Sequence, residues 1–370
     1  MSQPAIDLDL NYLPTLPRRR DFRIGIIGSG FIVRDCHLVA YRQAGFKVVA
    51  IASRTPEHAR SVAAMHAIPE VYDDYRDLLD DEEIEVVDIA VPPDQQLGIF
   101  RDLVMHSDHI LGVLAQKPLA MDYHTACQIV ELCRVAGIRL AVNQNMRYDQ
   151  SVRALKDLLL RGYLGEPVLG TIEMRAIPHW MPWSERLRSL STYVMSIHHL
   201  DTFRYWFGDP DRVLASTRPD PRTTFPHTDG LNLYILEYNS GCRAAAWDDV
   251  WTGPAREGSE SDIAIRWRVE GTEGLARGTI GWPSYPARTP STLDFTTSRQ
   301  PGYWFQPRWN EVWFPDAFVG TMAQLLRAIE DETEPEIGGS DNLNTIALVE
   351  AIFRSASDHR VMTLDEVKTQ

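Results

Sequence analysis

Between residues 23 and 143, short apolar segments alternate with segments long enough to form helices, and this alternation constrains the fold more than any other feature of the chain. The apolar segments are RIGIIG, KVVAIAS, VVDIAVP, HILGVLA and IRLAVNQ. Strands that are apolar on both faces and are separated by helices are typical of βαβ units with a parallel sheet. The sequence therefore predicts a doubly wound domain in the first third of the chain.

The pattern changes after a predicted helix at residues 148–162. From residue 166, apolar and polar residues alternate, and the segments LNLYILEYN, CRAAAWDDV and IAIRWRVEG follow one another without a helix-length segment between them. Period-two alternation indicates strands, so we expect an antiparallel or mixed sheet in a second, α+β domain. A chain of 370 residues also exceeds what one hydrophobic core usually serves. Helices are predicted again at 191–206, 316–330 and 341–357.

Composition argues against several classes of partner. The chain carries 51 acidic and 37 basic side chains, a net charge of −14, which would repel the phosphate backbone of nucleic acids. Its longest apolar segments are far shorter than the roughly 20 residues that a membrane helix requires. The four cysteines lack the CxxC spacing of zinc sites and the density of a disulfide scaffold, so we expect reduced thiols in a cytoplasmic protein. We expect no nucleic acid, no membrane and no bound metal.

The arginines of LPRRRDFRIG resemble part of a twin-arginine export signal. Such a signal needs an apolar stretch with a small-residue cleavage site, whereas the apolar stretch here carries the glycine turn of the first domain. Residues 1–21 are therefore interpreted as an irregular arm or as an extension that contacts a partner.

The first strand runs into a turn of the form GxGxxV. Gly28 would permit a tight turn, and Gly30 would let the backbone approach a pyrophosphate held at the N-terminal end of the next helix. Val33 replaces the third glycine of the usual pattern, so helix and strand must pack slightly further apart there. The turn predicts a dinucleotide site, and a structural turn without a ligand is the alternative.

The end of the second strand bears on the choice of dinucleotide. An NAD-selective protein usually carries an acidic residue there, about 20 residues beyond the glycine turn, which binds the ribose hydroxyls. Ser53 and Arg54 occupy this point instead, and they offer a hydroxyl and a guanidinium to a 2′-phosphate. The sequence therefore favours NADP over NAD. The alternative is that Arg54 is merely a solvated residue at the end of a strand.

Four further segments, in order along the chain, resemble motifs of one oxidoreductase family. DIAVPPDQQ at 88–96 resembles the family's fourth strand and its loop over the cofactor, and GVLAQKPLAMD at 112–122 resembles its EKP signature. VNQNMRYDQ at 142–150 is similar to an Asn-x-Arg-aromatic segment, and SIHHLDTFRYWFG at 196–208 resembles an active-site helix with His-x-x-Asp. Together they resemble the Gfo/Idh/MocA family, named after glucose-fructose oxidoreductase and inositol dehydrogenase, over residues 22–365.

The resemblance implies a fold, an activity and an assembly. The fold is α/β, with an N-terminal Rossmann domain built on a doubly wound parallel sheet, joined to a C-terminal α+β domain with a large, mostly antiparallel open sheet. We set the arm at 1–21, the Rossmann domain at 22–146 and the substrate-binding and oligomerisation domain at 147–370, with the last helices packing back toward the Rossmann domain. The implied activity is hydride transfer between NADP or NAD and a hydroxyl or keto carbon of a sugar, glycoside or cyclic polyol, in a homodimer or homotetramer.

Lys117 and His198 are the expected catalytic residues. Lys117 follows a buried strand at the carboxyl edge of the sheet, where burial and a cationic nicotinamide would lower the pKa of its ammonium toward the range of a proton shuttle. His198 would relay that proton or orient the substrate hydroxyl. One alternative is that His198 is structural, and another is that His199 performs this role instead. Two residues depart from the family pattern, because Gln116 replaces the acid before the lysine and Val194 replaces an aspartate four residues before His198.

The remaining predicted contacts form two groups. The expected cofactor contacts are Gly28, Gly30, Phe31, Ile32, Ser53, Arg54, Val91, Pro92, Gln116, Lys117 and Asn145. The expected substrate contacts are Arg147, Tyr148, Trp180 and His199. Core packing is an alternative for Tyr148, and an oligomer contact is an alternative for the segment around Trp180. Asp201 is expected to be structural and to pair with Arg204 or another arginine nearby.

Two other functions stay open, and Gln116 and Val194 favour the first of them. One is a nucleotide-binding sensor or partner subunit that lacks ordinary dehydrogenase turnover. The other is an enzyme that holds its NAD tightly and recycles it internally by successive oxidation and reduction. Nucleophile elbows, zinc helices and phosphate loops of the GxxxxGK type have no counterpart in the sequence.

Overall fold

The computed structural model describes residues 6–369 except 177–186, 188, 224–225, 251–262 and 283. Internal contacts divide the chain into two compact units. The parallel-sheet unit comprises Pro14–Asn145 and Phe314–Ile346, and the mixed-sheet unit comprises Met1–Leu13, Met146–Trp313 and Ala347–Gln370. This division differs from the predicted boundaries chiefly because the C-terminal segment Phe314–Ile346 is part of the parallel-sheet unit.

The described residues form the following elements. The strands are β1 (Arg23–Ile27), β2 (Lys47–Ala52), β3 (Glu70–Tyr72), β4 (Val86–Ile89), β5 (Gly112–Ala115), β6 (Arg139–Val142), β7 (Pro167–Arg175), β8 (Arg212–Arg218), β9 (Leu231–Glu237), β10 (Arg243–Asp249), β11 (Ala264–Gly271), β12 (Gly274–Thr279), β13 (Thr292–Thr297) and β14 (Met362–Thr363). The helices are α1 (Leu38–Ala44), α2 (Pro56–His66), α3 (Tyr75–Leu79), α4 (Pro93–His106), α5 (Tyr123–Ala136), α6 (Gln150–Leu160), α7 (Ile197–Phe207), α8 (Phe318–Glu330), α9 (Gly339–Asp358) and α10 (Leu364–Lys368). π-Helical segments at Ile32–His37 and Thr192–Ser196 precede α1 and α7.

The parallel-sheet unit has the topology of a Rossmann fold. Its six strands lie in the order β3-β2-β1-β4-β5-β6, and all neighbouring strands are parallel. β4 and β5 are buried along their whole length, as strands covered on both faces must be. The predicted doubly wound parallel sheet is confirmed. The edge strand β3 was not predicted, because three residues are too few to show a pattern.

Helix α8 packs against β5 and β6 of this sheet, although it lies near the C-terminal end of the chain. Gly112 on β5 allows the close approach, because a Cβ atom there would lie 2.8 Å from Ile329 Cδ1 and 3.0 Å from Leu325 Cδ1. Two helices of this unit, α3 and α5, begin at side-chain caps. At the start of α5, for example, Asp122 Oδ1 accepts a hydrogen bond of 2.7 Å from the backbone N–H of Thr125.

Over its described residues, the mixed-sheet unit forms an eight-stranded sheet in the order β13-β12-β11-β7-β10-β9-β8-β14. β7 and β10 are parallel, and the other neighbouring strands are antiparallel. The predicted α+β domain with a mostly antiparallel sheet is therefore confirmed. Helix α7 packs on β7, where a Cβ atom on Gly170 would lie 2.6 Å from the ring of Phe207. β13 is an edge strand of this sheet.

The other face of this sheet carries exposed apolar side chains. Leu214 on β8 is 43% exposed, and its register partner Ile235 on β9 is 44% exposed. Leu233, two residues along β9, is 51% exposed. Because alternate residues of a strand point to opposite faces, these three side chains share the face opposite the buried side chains of β9.

The N-terminal arm is irregular over its described residues, and it is attached by ion pairs. In the mixed-sheet unit, Arg161 Nη1 lies 3.1 Å from Asp7 Oδ2. In the parallel-sheet unit, Arg18 Nη2 lies 3.0 Å from Asp331 Oδ1. Cys36, Cys127, Cys133 and Cys242 are free thiols. No helix among the described residues is both long and apolar enough to cross a membrane.

Candidate active site

The glycine turn after β1 has the geometry that its sequence predicts. Gly28 has φ 124°, a left-handed conformation, and its N–H donates to the carbonyl of Ala52 at 2.8 Å. A Cβ atom on Gly28 would lie 2.4 Å from the carbonyl oxygen of Ala90. Gly30 is exposed, and a Cβ atom there would meet no described atom within 4 Å. The first glycine is therefore required by the protein backbone, whereas open space lies beside the second.

A helical segment begins directly after Gly30. The Gly30 carbonyl accepts hydrogen bonds from the backbone N–H groups of Val33 at 3.1 Å and Arg34 at 3.0 Å. Val33 is fully buried, while Phe31 and Ile32 at the start of the segment are half-buried. The unsatisfied N–H groups and the dipole at the beginning of a helix favour an anion. The open space beside Gly30 thus adjoins a backbone suited to a pyrophosphate.

The end of β2 lies next to this turn. The Ser29 hydroxyl donates to Ser53 Oγ at 2.9 Å, and the backbone N–H of Thr55 lies 3.3 Å from the same oxygen. The side chain of Arg54 is exposed. Ser53 is therefore held beside the glycine turn, and Arg54 lies next to it in sequence with a guanidinium accessible to solvent.

Lys117 lies just beyond the carboxyl end of β5. Burial lowers the pKa of its ammonium from 10.5 to about 7, as the sequence predicted for a lysine partly withdrawn from water. The Gln96 side chain on α4 holds the loop around Lys117, since its Nε2 donates to the carbonyls of Gln116 at 2.7 Å and Pro118 at 3.0 Å. The local structure thus lets the amine of Lys117 titrate near pH 7.

Gln116 stands between β5 and Lys117. Its backbone N–H donates to the Ile89 carbonyl at 2.9 Å, which fixes the end of β5 against β4. Its side-chain Oε1 accepts from the backbone N–H of Lys117 at 2.9 Å. Its Nε2 atom is buried and has no hydrogen-bond acceptor among the described residues. Val91 and Pro92, two other expected cofactor contacts, are half-buried directly after β4.

In the mixed-sheet unit, Arg147 and Asp201 form a buried ion pair. Arg147 Nε lies 2.6 Å from Asp201 Oδ2, and Nη2 lies 2.8 Å from Oδ1. Arg204 Nη1 lies 3.8 Å from the same Oδ1. Asp201 therefore pairs with nearby arginines, as the sequence predicted, although its closer partner is Arg147. A guanidinium engaged in this way favours a structural role for Arg147 over the predicted contact with substrate.

His198 and His199 occupy different surroundings on α7. The His198 imidazole, 3% exposed, packs edge-on against Trp313 with ring centroids 5.6 Å apart. His199 is fully buried, and its Nδ1 lies 2.9 Å from Asp248 Oδ1 on β10. A buried imidazole beside a carboxylate favours a structural role for His199 over the predicted substrate contact.

The local helix geometry near Val194 is π-helical. A regular α-helix would place positions 194, 198 and 201 roughly on one face. Val194 instead lies in the π-helical segment, where hydrogen bonds span five residues and each residue turns the chain by a smaller angle. The angle around the helix axis between Val194 and His198 is therefore not the one that four residues of an α-helix give.

The other predicted residues have the following positions. Asn145 and Tyr148 begin and end a short 3₁₀ turn, and both are buried. The Arg153 guanidinium lies over the Tyr148 ring, 5.3 Å from its centroid, so Tyr148 also has the packing role considered from the sequence. Trp180 lies outside the described residues. Lys117 and His198 belong to different units.

Comparison with known proteins identifies the chain's family. Residues 22–144 match the model of an oxidoreductase family with an NAD-binding Rossmann fold, GFO_IDH_MocA, and residues 152–277 match the GFO/IDH/MocA C-terminal domain. The chain belongs to the Gfo/Idh/MocA family. Because these matches cover the parallel sheet, most strands of the mixed sheet and more than half of the chain, the family predicted from the four motifs is confirmed.

Relatives of the chain include named sugar enzymes. A D-apiose dehydrogenase from Paraburkholderia graminis is 27% identical, and the match covers 94% of this chain and 91% of that protein. A 1,5-anhydro-D-fructose reductase from Ensifer adhaerens is 25% identical, with 90% and 96% covered. An Agrobacterium radiobacter oxidoreductase, solved with NAD+, L-tartaric acid and magnesium, has the same fold with a TM-score of 0.79, 23% identity and coverage of 94% and 99%.

The residues of this Gfo/Idh/MocA protein fit the dinucleotide that the family binds. A Cβ atom on Gly28 would clash with the protein's own backbone, so glycine is required there without any ligand. The open space beside Gly30, in contrast, is the room that a pyrophosphate needs. The buried Nε2 of Gln116 is a hydrogen-bond donor available to an oxygen of the nucleotide. Gly30, Ser53 and Gln116 all follow carboxyl ends of parallel strands, where ligands of such sheets bind.

Two residues that bear on the site were not found from the sequence. Gln96 holds the loop that carries Lys117, and Trp313 packs against His198. Gln96 is at the fourth position of α4 and is fully buried. A glutamine in the first turn of a helix gives no sign of burial by itself. Trp313 is 115 residues beyond His198, so local spacing cannot connect them.

Proposed function

We propose that this protein is an NAD(P)-dependent dehydrogenase or reductase that acts on a hydroxyl or keto carbon of a sugar, glycoside or cyclic polyol. The observation that carries the proposal is the position of Lys117 at the carboxyl edge of the Rossmann sheet, with its pKa lowered to about 7 by burial. A lysine that titrates near neutrality can both accept and donate a proton under working conditions. The substrate class is supported by the names of the relatives, which act on apiose and anhydrofructose.

Lys117 performs the proton transfer in this proposal. The bound nicotinamide supplies the hydride acceptor or donor. In the oxidation direction, the neutral amine of Lys117 accepts the proton of the substrate hydroxyl as the C–H bond breaks. In the reduction direction, its ammonium donates a proton to the carbonyl oxygen. His198 orients the reacting hydroxyl or relays its proton, and edge-on packing against Trp313 limits the rotation of its imidazole.

The glycine turn and the end of β2 hold the nucleotide. Gly28, Gly30, Phe31 and Ile32 form the turn at the pyrophosphate, and Val91, Pro92, Gln116 and Asn145 line the remainder of the cofactor site. Ser53 and Arg54 contact the adenosine ribose. The exposed guanidinium of Arg54 favours NADP, because it can pair with a 2′-phosphate, and a ribose with two hydroxyls offers no such charge.

We also propose that the protein forms a homodimer or homotetramer through the outer face of the mixed sheet. Leu214, Leu233 and Ile235 expose a continuous apolar surface there, and burying such a surface is favourable. Light scattering of the wild type and of Leu233→Glu tests this assembly. A smaller mass for the variant is expected, whereas a monomeric wild type would contradict it.

The experiment that tests the enzymatic function is a screen of sugars and cyclic polyols with NADP+ and NAD+, followed at the nicotinamide absorbance band. Turnover is expected with at least one of these compounds. Lys117→Met should lower kcat by about 100-fold or more and leave the Kd for the nucleotide within about threefold. Lys47→Met is the matched control, because Lys47 is an exposed lysine at the start of β2, and it should retain full activity.

Two results would contradict the proposal. Nucleotide binding without turnover on the whole panel would favour a sensor or partner subunit. Retention of stoichiometric NAD(H) through purification, with turnover that needs no added nucleotide, would favour internal recycling of the cofactor.

A further inference from the structure

A chain of buried hydrogen bonds lies behind Gln116 in the parallel-sheet unit. His37 Nδ1 lies 2.6 Å from Asp88 Oδ2 on β4, and His37 Nε2 lies 2.9 Å from Asn143 Nδ2. Asn143 Nδ2 in turn lies 3.5 Å from Gln116 Oε1. Asn143 and Gln116 follow Val142 and Ala115, which are register partners at the ends of β6 and β5. This chain of hydrogen bonds thus runs from Asp88, within the sheet, to Gln116, the residue that precedes Lys117.

The Asp88 carboxylate can only accept, and it therefore determines the direction of the hydrogen bonds that follow it. Burial and the nearby Asp88 carboxylate raise the pKa of Tyr41 well above its ordinary value, so the Tyr41 hydroxyl stays protonated and donates to Asp88 Oδ2 at 2.7 Å. Asp88 accepts from the Nδ1–H of His37, which leaves Nε2 as the acceptor of that imidazole. Asn143 must then present its NH₂ group to His37, and the same NH₂ group faces Gln116 Oε1.

The direction matters because Gln116 is an amide. A carboxylate has two equivalent oxygens, whereas an amide presents either an acceptor or a donor, depending on a rotation of 180°. Gln116 Oε1 is occupied by Asn143 Nδ2 and by the backbone N–H of Lys117. Its Nε2 is therefore the end left to donate, and this atom has no acceptor among the described residues.

The imidazole in the middle of this chain is firmly packed. His37 is 1% exposed, and its ring centroid lies 5.2 Å from that of Phe318 on α8 and 5.7 Å from that of Tyr41. Buried hydrogen bonds whose members are held by packing keep one arrangement, because the low dielectric makes broken ones costly. The amide of Asn143 thus has a fixed partner.

We propose that Asp88, His37 and Asn143 are positioning residues that hold the Gln116 carboxamide in one orientation, with its oxygen on the Lys117 backbone and its nitrogen toward the dinucleotide. The inference rests on the proposed function, because it assigns a ligand to that nitrogen. The nitrogen takes a hydrogen-bond acceptor of the nucleotide, such as a ribose hydroxyl oxygen or the carboxamide oxygen of nicotinamide. These hydrogen bonds thus fix Gln116, the residue that replaces the usual acid, as a donor with one direction.

A double-mutant cycle on nucleotide affinity tests the inference. Asn143→Asp keeps the size of the side chain and replaces the donor with an acceptor, so Gln116 should turn and lose its contact. The Kd for NAD(P)H should rise about tenfold, as expected for the loss of one buried hydrogen bond. In the Gln116→Leu background, where no amide remains to be oriented, the same substitution should change the Kd by less than about twofold.

Tyr41→Phe is the matched control. It removes one donor to Asp88 and leaves the bond between His37 and Asp88, so nucleotide affinity should stay within about twofold of wild type. A structural effect would lower the thermal midpoint of each variant and raise the Kd in proportion. A tenfold rise confined to Asn143→Asp in the Gln116 background supports positioning, and equal rises in both backgrounds overturn it.

Nitrogen-15 NMR of the ligand-free protein gives a readout that needs no nucleotide. The His37 signals, assigned by their absence in His37→Gln, should be those of an imidazole with its hydrogen on Nδ1 and none on Nε2. A hydrogen on Nε2 would overturn the proposed direction of the chain. Absence of NAD(P)H binding by the wild type would overturn the proposed function and the ligand-facing role together, even with the expected tautomer.

Discussion

Arg147 and Asp201 form a two-pronged ion pair that links the turn before α6 to α7, with N–O distances of 2.6 and 2.8 Å. Both side chains are almost completely buried, at 5% and 2% exposure. Charges that are withdrawn from water in this way depend on each other, because either one alone would be a buried charge without compensation. The pair thus fixes α7, the helix that carries His198, to the turn before α6.

We expect Asp201→Ala to destabilise the mixed-sheet unit by about 3–5 kcal/mol, since it leaves the Arg147 guanidinium buried without its carboxylate. The double variant Arg147→Met with Asp201→Leu removes both charges and should recover most of this loss. The midpoint of urea unfolding measures both effects. Nearly wild-type stability of Asp201→Ala, with an increased KM for substrate in Arg147→Met, would show that Arg147 binds substrate instead.

The lowered pKa of Lys117 predicts opposite pH profiles for the two directions of the reaction. Oxidation uses the neutral amine, so kcat/KM should rise with pH and level off above the pKa of about 7. Reduction uses the ammonium, so kcat/KM should fall above the same value. Measurements of kcat/KM in both directions across this range test the assignment.

Gln116→Glu should move both profiles in a known direction. A carboxylate beside Lys117 favours its charged form, so the midpoint should shift upward by about 1 unit or more. Gln116→Met has no charge and serves as the control, and its midpoint should stay near the wild-type value. A midpoint that is the same in Gln116→Glu as in the wild type would mean that another group controls the profile.

Alanine at Gly28 and alanine at Gly30 should have different consequences. Gly28→Ala places a Cβ atom 2.4 Å from the Ala90 carbonyl in a left-handed backbone, and we expect a loss of stability of about 1–3 kcal/mol or more. Gly30→Ala meets no described atom within 4 Å and should leave the thermal midpoint unchanged. Its Kd for the nucleotide should nevertheless rise, because the methyl group occupies space beside the pyrophosphate.

Arg54 should determine the choice between the two dinucleotides. Arg54→Ala is expected to raise the KM for NADP about tenfold and to leave the KM for NAD nearly unchanged, since only NADP has the 2′-phosphate. Arg60→Ala, on an exposed side chain of α2, is the control. Equal effects of Arg54→Ala on both nucleotides would show that Arg54 is merely a solvated residue.

Much of the parallel-sheet unit was predictable because its information is local. The turn at Gly28 and the lysine after β5 are recognised from a few consecutive residues, and their chemistry depends on the strand end that carries them. The period-two pattern of the mixed-sheet strands is local in the same sense. The parallel pairing of β7 with β10 could not be predicted, because it joins segments about 70 residues apart.

The partners within the site were not predictable, because they are distant in sequence. Spacing alone leaves His199 as a rival for the role of His198, and Asp248, 49 residues later, lies beside His199 in the folded chain. Spacing alone also leaves Arg147 as a substrate contact, because its partner Asp201 is 54 residues away. Neither a helical nor a strand period relates such pairs, so only the folded chain shows which side chains are paired.

The most direct test of the central claim is a crystal structure with NADP+ and a sugar or polyol that the enzyme turns over. The distances from Lys117 Nζ and from the His198 imidazole to the reacting hydroxyl oxygen are the decisive quantities. Both should be within about 3.2 Å, or a single water molecule should bridge the imidazole. A Lys117 Nζ more than about 6 Å from that oxygen, with no water between them, would contradict proton transfer by this residue.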